Sequence, residues 1–253
     1  MKLLLISNST NRGEAYLDWP KEYISKFMNE HKVKKVLFIP YAGVNIANPK
    51  TLEDSYNAYE AKVKPVFEKL GFELTSIHRT KNLFEAVQKA ECIAVGGGNT
   101  FHLVGMMQQL GIMKAIREKV LNGTPYMGWS AGANVACPTM KTTNDMPIVQ
   151  PESFDCLNLI PFQINPHYLG VEDDLNAEKH GGETREERIN EFLAANREAI
   201  VVGLRESCLL ERNGDSLLLK GKRTLRIFKH LEVYEQDANT DVSFLLKAQF
   251  KRS

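Results

Sequence analysis

Short apolar runs alternate with longer stretches of helical spacing through the first half of the chain. The runs are Leu3 to Ser7, Val36 to Pro40, Leu74 to His78, Cys92 to Val95 and Tyr126 to Trp129. Between them Tyr16 to His31, Leu52 to Leu70, Leu83 to Lys89, and the pair Thr100 to Leu110 and Ile112 to Leu121 space their apolar residues as helices do. Several runs are apolar throughout, as parallel strands covered on both faces are. Strand, helix, strand in succession requires crossovers, so the pattern predicts an α/β fold: a mostly parallel sheet with helices on both faces. Further on, Phe162 to Asn165 and Ile200 to Leu204 read as strands flanking a charged helix from Arg185 to Ala195. Cys208 to Glu211, Leu217 to Lys220 and Thr224 to Phe228 then read as a C-terminal antiparallel meander that extends the sheet or covers its edge, with Asn213-Gly214 as a type I′ hairpin signal. No repeat or linker interrupts the chain, and residues 1–253 are expected to form one domain.

Composition narrows the partners. The 253 residues are 43% hydrophobic and 25% charged with a net charge of +1 and interspersed signs, which provides no electrostatic footprint for nucleic acid or an anionic membrane. Small neutral or zwitterionic ligands suit such a surface. Lys2 to Ile6 is too short for a signal peptide and no apolar stretch approaches spanning length, so a soluble cytoplasmic protein is expected. Cys92, Cys137, Cys156 and Cys208 lie far apart with no C-x-x-C pair. They read as reduced, buried thiols rather than as a zinc or redox site.

Ligands of open α/β sheets bind at the carboxyl ends of the strands, and the unusual sequence lies there. Gly128-Trp129-Ser130-Ala131-Gly132 puts a serine between two glycines where a strand gives way to a small-residue helical pattern. A nucleophile on such a turn needs glycines at the flanking alternate positions for the turn to close. Gly96-Gly97-Gly98-Asn99-Thr100 follows the preceding strand and opens a helix. It has neither the lysine of a P-loop nor the spacing of a dinucleotide fingerprint, which makes a nucleotide-binding module the weaker reading. The Gly98 and Ala131 amides can instead form an oxyanion hole beside Ser130.

A serine nucleophile needs a base, and the chain has six histidines. His31, His78, His180 and His230 read as surface or capping residues, and His102 as a packed helical residue beside the glycine turn. His167 ends Ile164-Asn165-Pro166-His167, where the strand is expected to stop at the proline and present the histidine at the functional edge. Two carboxylates compete to orient it. Asp145 lies in the polar loop from Thr142 to Ile148, with capping that turn as its alternative role. Glu206 follows the strand ending Gly203-Leu204-Arg205, with a surface ion pair as its alternative.

Taken together, Gly128 to Asn134, Gly96 to Phe101, Thr142 to Ile148, Ile164 to His167 and Gly182 to Glu186 closely resemble the peptidase E family of α-aspartyl dipeptidases. The resemblance implies a flavodoxin-like, class I glutamine amidotransferase-like sheet and a serine dipeptidase that cleaves after an N-terminal aspartate without metal or cofactor. It also implies Ser130 as nucleophile and His167 as base. The third member matches Glu206 or Asp145; Glu206 is favoured because a strand-end acid beside a strand-end histidine is easier to preorganise. Arg185 is the candidate reader of the substrate carboxylate, since a bidentate guanidinium best replaces its lost water; the alternative is pairing with Glu186 or Glu191 on its helix. Asn99 and Thr100 are further substrate-binding candidates. The partner is a small peptide, and the working form a monomer or homodimer. Gly203-Leu204-Arg205-Glu206-Ser207 departs from the Gly-Leu-Pro-Glu-Gly of bacterial members, and the stretch from His167 to Gly182 is a few residues longer. The rival readings are a cyanophycinase-like β-aspartyl peptidase, an esterase with the order Ser130, Asp145, His167, and the nucleotide-binding module.

Overall fold

Strands β1 (Lys2–Ile6), β2 (Lys35–Ile39), β3 (Glu73–Ser76), β4 (Cys92–Val95) and β5 (Tyr126–Trp129) lie parallel in the order β3-β2-β4-β5-β1. This arrangement comes from a computed structural model, which describes residues 1–170 and 183–248. Counted from β2, the first four positions follow the flavodoxin order 2-1-3-4, and the N-terminal β1 fills the fifth. Alternate side chains of each strand go to opposite faces, and the apolar clusters divide accordingly. Leu4, Ile6, Val36 and Phe38 pack with Phe27 of α1 (Lys21–Glu30) and with Val63 and Phe67 of α2 (Leu52–Lys69). Leu3, Leu5, Leu37 and Val95 pack with Val87 of α3 (Leu83–Lys89), Leu103 of α4 (Thr100–Gln109) and Ile116 of α5 (Ile112–Leu121). Local chemistry sets the helix starts. Thr51 and Asp54 form a capping box, and the side chains of Asn82 and Asn99 each accept from the amide three residues on.

A second, four-stranded sheet has the order β11-β10-β7-β6. Its strands are β6 (Gln163–Tyr168), β7 (Val201–Arg205), β10 (Leu225–Lys229) and β11 (Glu232–Gln236). One face meets Ile189 and Leu193 of α7 (Arg185–Ala195). The other, through Ile164, Val202, Leu204 and Ile227, joins the cluster beneath α4 and α5. Between β7 and β10 the hairpin β8 (Cys208–Asn213) and β9 (Ser216–Gly221) returns to the large sheet, antiparallel to β1. The expected meander is thus divided between two sheets, and Glu206-Ser207 is the crossing from one to the other.

Other expectations need correction. The first helix begins at Lys21 rather than Tyr16, with Pro20 at its N-cap, a position where a missing amide costs little. β3 ends at Ser76 and continues as a 3-10 turn through Arg79. The β8–β9 loop is Gly214-Asp215, with Asn213 paired to Ser216, and only Gly214 has positive φ, which excludes type I′. Strand β11 was not expected: Glu-Val-Tyr-Glu-Gln on an exposed edge shows no buried face to read. Among the described residues no helix is long and apolar enough to cross a membrane.

Candidate active site

The turns that carry Gly98, Ser130 and Glu206 leave the carboxyl ends of β4, β5 and β7. Ser130 follows β5 with φ 54° and ψ −112°, a strained conformation for a residue with a side chain, and its N–H donates to Ile6 O at 3.0 Å. The flanking glycines are required by contact. A Cβ at Gly128 would lie 2.2 Å from Gly132 O, and one at Gly132 would lie 2.1 Å from Val95 O. The following helix, α6 (Ala131–Asn134), is a single turn. A one-turn helix has little macrodipole, and what it offers a ligand is the Ala131 N–H.

His167 does not follow a strand that stops at Pro166. β6 runs on to Tyr168, and His167 is displaced in a bulge at φ 52°. A proline suits this edge strand next to a bulge because it has no amide to offer the ladder. The His167 N–H donates instead to Ser7 Oγ at 2.9 Å, and Ser7 Oγ donates to Leu204 O at 2.7 Å. One hydroxyl at the end of β1 therefore ties the bulge to β7.

Ser130, His167 and Glu206 form a continuous chain. His167 Nε2 lies 2.9 Å from Ser130 Oγ, and Nδ1 lies 2.7 Å from Glu206 Oε1. The hydrogen bond from His167 holds the Glu206 carboxyl below its ordinary value, against the effect of burial, with the charges of His167 and Arg185 adding to the fall. An ionised carboxylate only accepts, so the proton sits on Nδ1 and leaves Nε2 free to accept from the serine hydroxyl.

Asp145 is not at the histidine. Its Oδ2 accepts from the Thr100 N–H at 2.8 Å, the Thr100 hydroxyl at 2.6 Å and the Thr143 hydroxyl at 3.0 Å. It caps the start of α4, where a carboxylate meets the positive end of the helix. The expected alternative was capping of its own turn; Asp145 accepts there from Thr143 only, its other partners being at the start of α4, and this geometry favours a structural role over orienting the base. A phosphate on this turn would have to displace that carboxylate, which argues against the nucleotide-binding reading. Asn99 is also engaged elsewhere: its Oδ1 caps α4 and its Nδ2 donates to Met146 O at 2.9 Å. Thr100 lines the site cavity, whereas Asn99 does not.

That cavity has a volume of about 500 Å³ and is lined on one side by Gly98, Ser130, Ala131 and His167, and elsewhere by Lys62, Asp145 and Arg185. Gly98 has φ 134°, and a Cβ there would lie 2.2 Å from Ala42 O. Among the described residues neither the Gly98 nor the Ala131 N–H has an acceptor. Arg185 reaches Pro166 O at 3.5 Å and forms no ion pair among the described residues. The expected alternative pairing does not occur: Glu186 pairs with Arg226 of β10 at 3.0 Å. Burial lowers the Arg185 guanidinium from its ordinary value, with Glu206 opposing. It is a partly desolvated cation facing the cavity.

The departure at Arg205-Glu206-Ser207 has a physical account. Arg205 is buried, pairs with Glu235 at 2.9 Å and lies over the Tyr168 ring. Ser207 takes φ 63°, where a glycine would be at ease, and its N–H and hydroxyl donate to Asn8 Oδ1 and Asn11 Oδ1, each at 2.9 Å. Ser7, Asn8 and Asn11 were not expected to support the site. Their signal was legible: a polar run directly after a wholly apolar strand, at the edge that carries ligands. Asn144 and Asn165 also brace the histidine strand, through Pro166 O and Thr142 O. Among the described residues no other histidine lines the cavity. His102 is buried and donates to Tyr41 O, while His78, expected at the surface, is held between Ser76 and Asn57. His180 and Gly182 lie outside the described residues. All four cysteines are buried, and burial pushes the Cys137 thiol up to about 12, which removes it as a nucleophile.

Known proteins resemble this chain in sequence and in fold. The family model for peptidase family S51 matches residues 3–220. A peptidase E of Nostoc sp. is 45% identical over 247 residues, covering 97% of each chain. A peptidase E of Salmonella newport is 42% identical over 229 residues, 90% of this chain and 94% of its own. The solved structure of a peptidase from an acI-B1 Actinobacterium shares the fold with a TM-score of 0.70 at 18% identity, covering 96% of both chains. With a family match over most of its length and such relatives on either side, the chain belongs to peptidase family S51.

Proposed function

We propose that this peptidase hydrolyses dipeptides with an N-terminal aspartate through an acyl-enzyme on Ser130. The observation that carries the reading is the Ser130–His167–Glu206 chain of hydrogen bonds at 2.9 and 2.7 Å. In this mechanism His167 Nε2 takes the Ser130 proton as Oγ attacks the carbonyl of the aspartyl residue. The Gly98 and Ala131 amides receive the oxyanion, and Glu206 stabilises the imidazolium. The tetrahedral intermediate collapses as His167 gives its proton to the departing amine. Water, deprotonated by the same nitrogen, then attacks the aspartyl ester, and a second collapse returns Ser130 to its hydroxyl form. The name peptidase E borne by the relatives supports the aspartyl substrate, and the partly desolvated Arg185, without an ion-pair partner among the described residues, supplies a charge to match it.

Four buried cysteines with no C-x-x-C pair accord with a reducing cytoplasm, and the working form is a monomer or homodimer.

A panel of Xaa-Leu dipeptides, with α- and β-linked Asp-Leu included, tests the substrate. α-Asp-Leu is expected to be cleaved fastest; faster cleavage of the β-linked isomer, or of an ester, would overturn the reading. Arg185→Ala is expected to erase the preference for Asp-Leu over Asn-Leu, a loss of discrimination of about 100-fold or more, since an unpaired buried carboxylate is costly. Unchanged discrimination would exclude Arg185 as the reader.

A further inference from the structure

The glycine turn that carries one proposed oxyanion donor has little conformational preference of its own. Gly96, Gly97 and Gly98 lack side chains, and a peptide between two glycines rotates more freely than any other. Neighbouring peptides are held by the main chain: the Gly96 N–H donates to Ile39 O at 3.1 Å, and the Asn99 N–H to Ala42 O at 2.8 Å. The peptide joining Gly97 to Gly98 is held differently. Its carbonyl accepts from the hydroxyl of Tyr59, a buried residue of α2, at 2.9 Å.

We infer that Tyr59 is a positioning residue for the reaction: by anchoring the Gly97 carbonyl, it turns the Gly98 N–H toward the substrate oxyanion. This rests on the role proposed above for Gly98. In a planar trans peptide the carbonyl and the N–H point in opposite directions, so fixing one fixes the other. With Gly97 O directed at Tyr59, the Gly98 N–H is sent away from the tyrosine. Gly97 packs against the nucleophile, where an added Cβ would lie 2.8 Å from Ser130 Cβ.

The direction of the hydrogen bonds is determined by donor chemistry. Trp129 Nε1, which can only donate, lies 3.1 Å from Tyr59 Oη and 2.8 Å from Tyr16 Oη. Tyr59 accepts from the indole and, at 3.0 Å, from the Tyr16 hydroxyl, leaving its single proton for Gly97 O, which can only accept. Burial pushes the Tyr59 hydroxyl up to about 12, so it remains a donor throughout the range in which the peptidase would work. Trp129 immediately precedes Ser130. One network therefore holds the nucleophile's turn and the donor's turn in register, and it gives Trp129 a use that the glycine-serine motif alone did not suggest.

Tyr59→Phe removes the hydroxyl and keeps the ring, with its edge-to-face contact on Phe38 at 5.2 Å. Loss of a whole oxyanion donor lowers kcat by about 100- to 1,000-fold; loosening one is expected to lower it by about 10- to 100-fold. The comparison uses whichever Xaa-Leu dipeptide the wild-type chain cleaves fastest, so it does not depend on the aspartate preference. KM is expected to stay within about twofold, because the oxyanion exists only after attack. The Ki of the matching peptide aldehyde, which forms a tetrahedral adduct on the serine, is expected to rise by the same factor as kcat falls. Wild-type kcat and aldehyde affinity in Tyr59→Phe would overturn the inference. So would equal losses in kcat, substrate affinity and melting temperature, which mark a general packing role.

Discussion

Ser130→Ala is expected to lower kcat for Asp-Leu by roughly 10⁴- to 10⁶-fold while leaving the melting temperature close to that of the wild-type chain. The size follows from what is removed. The hydroxyl oxygen is the only atom of the site that forms a bond to the substrate in the proposed mechanism. Gly98, Ala131 and Arg185 remain, so binding and oxyanion stabilisation persist, and a residual rate above that in water is expected. The fold should not notice, because alanine keeps the Cβ and the main-chain bond from residue 130 to Ile6 O. A variant that retains activity within tenfold would remove Ser130 from the reaction.

Glu206→Ala is expected to cost about 10³-fold in kcat, and Asp145→Ala far less. Glu206 holds the His167 tautomer, but its side chain is 42% exposed, so water can partly replace it. The loss should therefore fall below the roughly 10⁴-fold seen for a fully buried orienting acid. Asp145 satisfies the Thr100 amide and hydroxyl at the start of α4, and its removal should appear as about 1 kcal/mol of stability lost in denaturant unfolding. Equal losses of kcat in the two variants would refute the division of roles.

These two carboxylates also mark where sequence reading stops. Ser130 was legible because its requirements are local: Gly128 and Gly132 are needed by contacts within the same turn and with the adjacent β4. His167 was legible for a similar reason, standing at the functional end of a strand beside a proline. Choosing between Glu206 and Asp145 required knowing that the chain changes sheets at Glu206-Ser207, and no hydrophobic period encodes such a crossing. The same ignorance hid the division of the C-terminal meander, since β8 to β10 have similar patterns although they serve different sheets. The bulge at His167 was hidden because Ser7, which accepts from its amide, directly follows the first strand of the other sheet. The large sheet was the easiest element to read. Leu3 to Ile6 and Cys92 to Val95 are buried on both faces, and composition alone marks such strands. Tyr16 and Tyr59, which reach Trp129 from distant segments, gave no local sign of their contact with the glycine turn.

The most direct test of the account is acylation itself. An aspartyl p-nitrophenyl ester has a leaving group good enough to make deacylation the slow step, so mixing it with the enzyme should release a burst of nitrophenolate stoichiometric with the chain. Mass spectrometry of the acid-quenched protein should then find the aspartyl group on the peptide containing Ser130, with both signals lost in Ser130→Ala. A burst that survives in Ser130→Ala, or an aspartyl group found on any other residue, would contradict the mechanism.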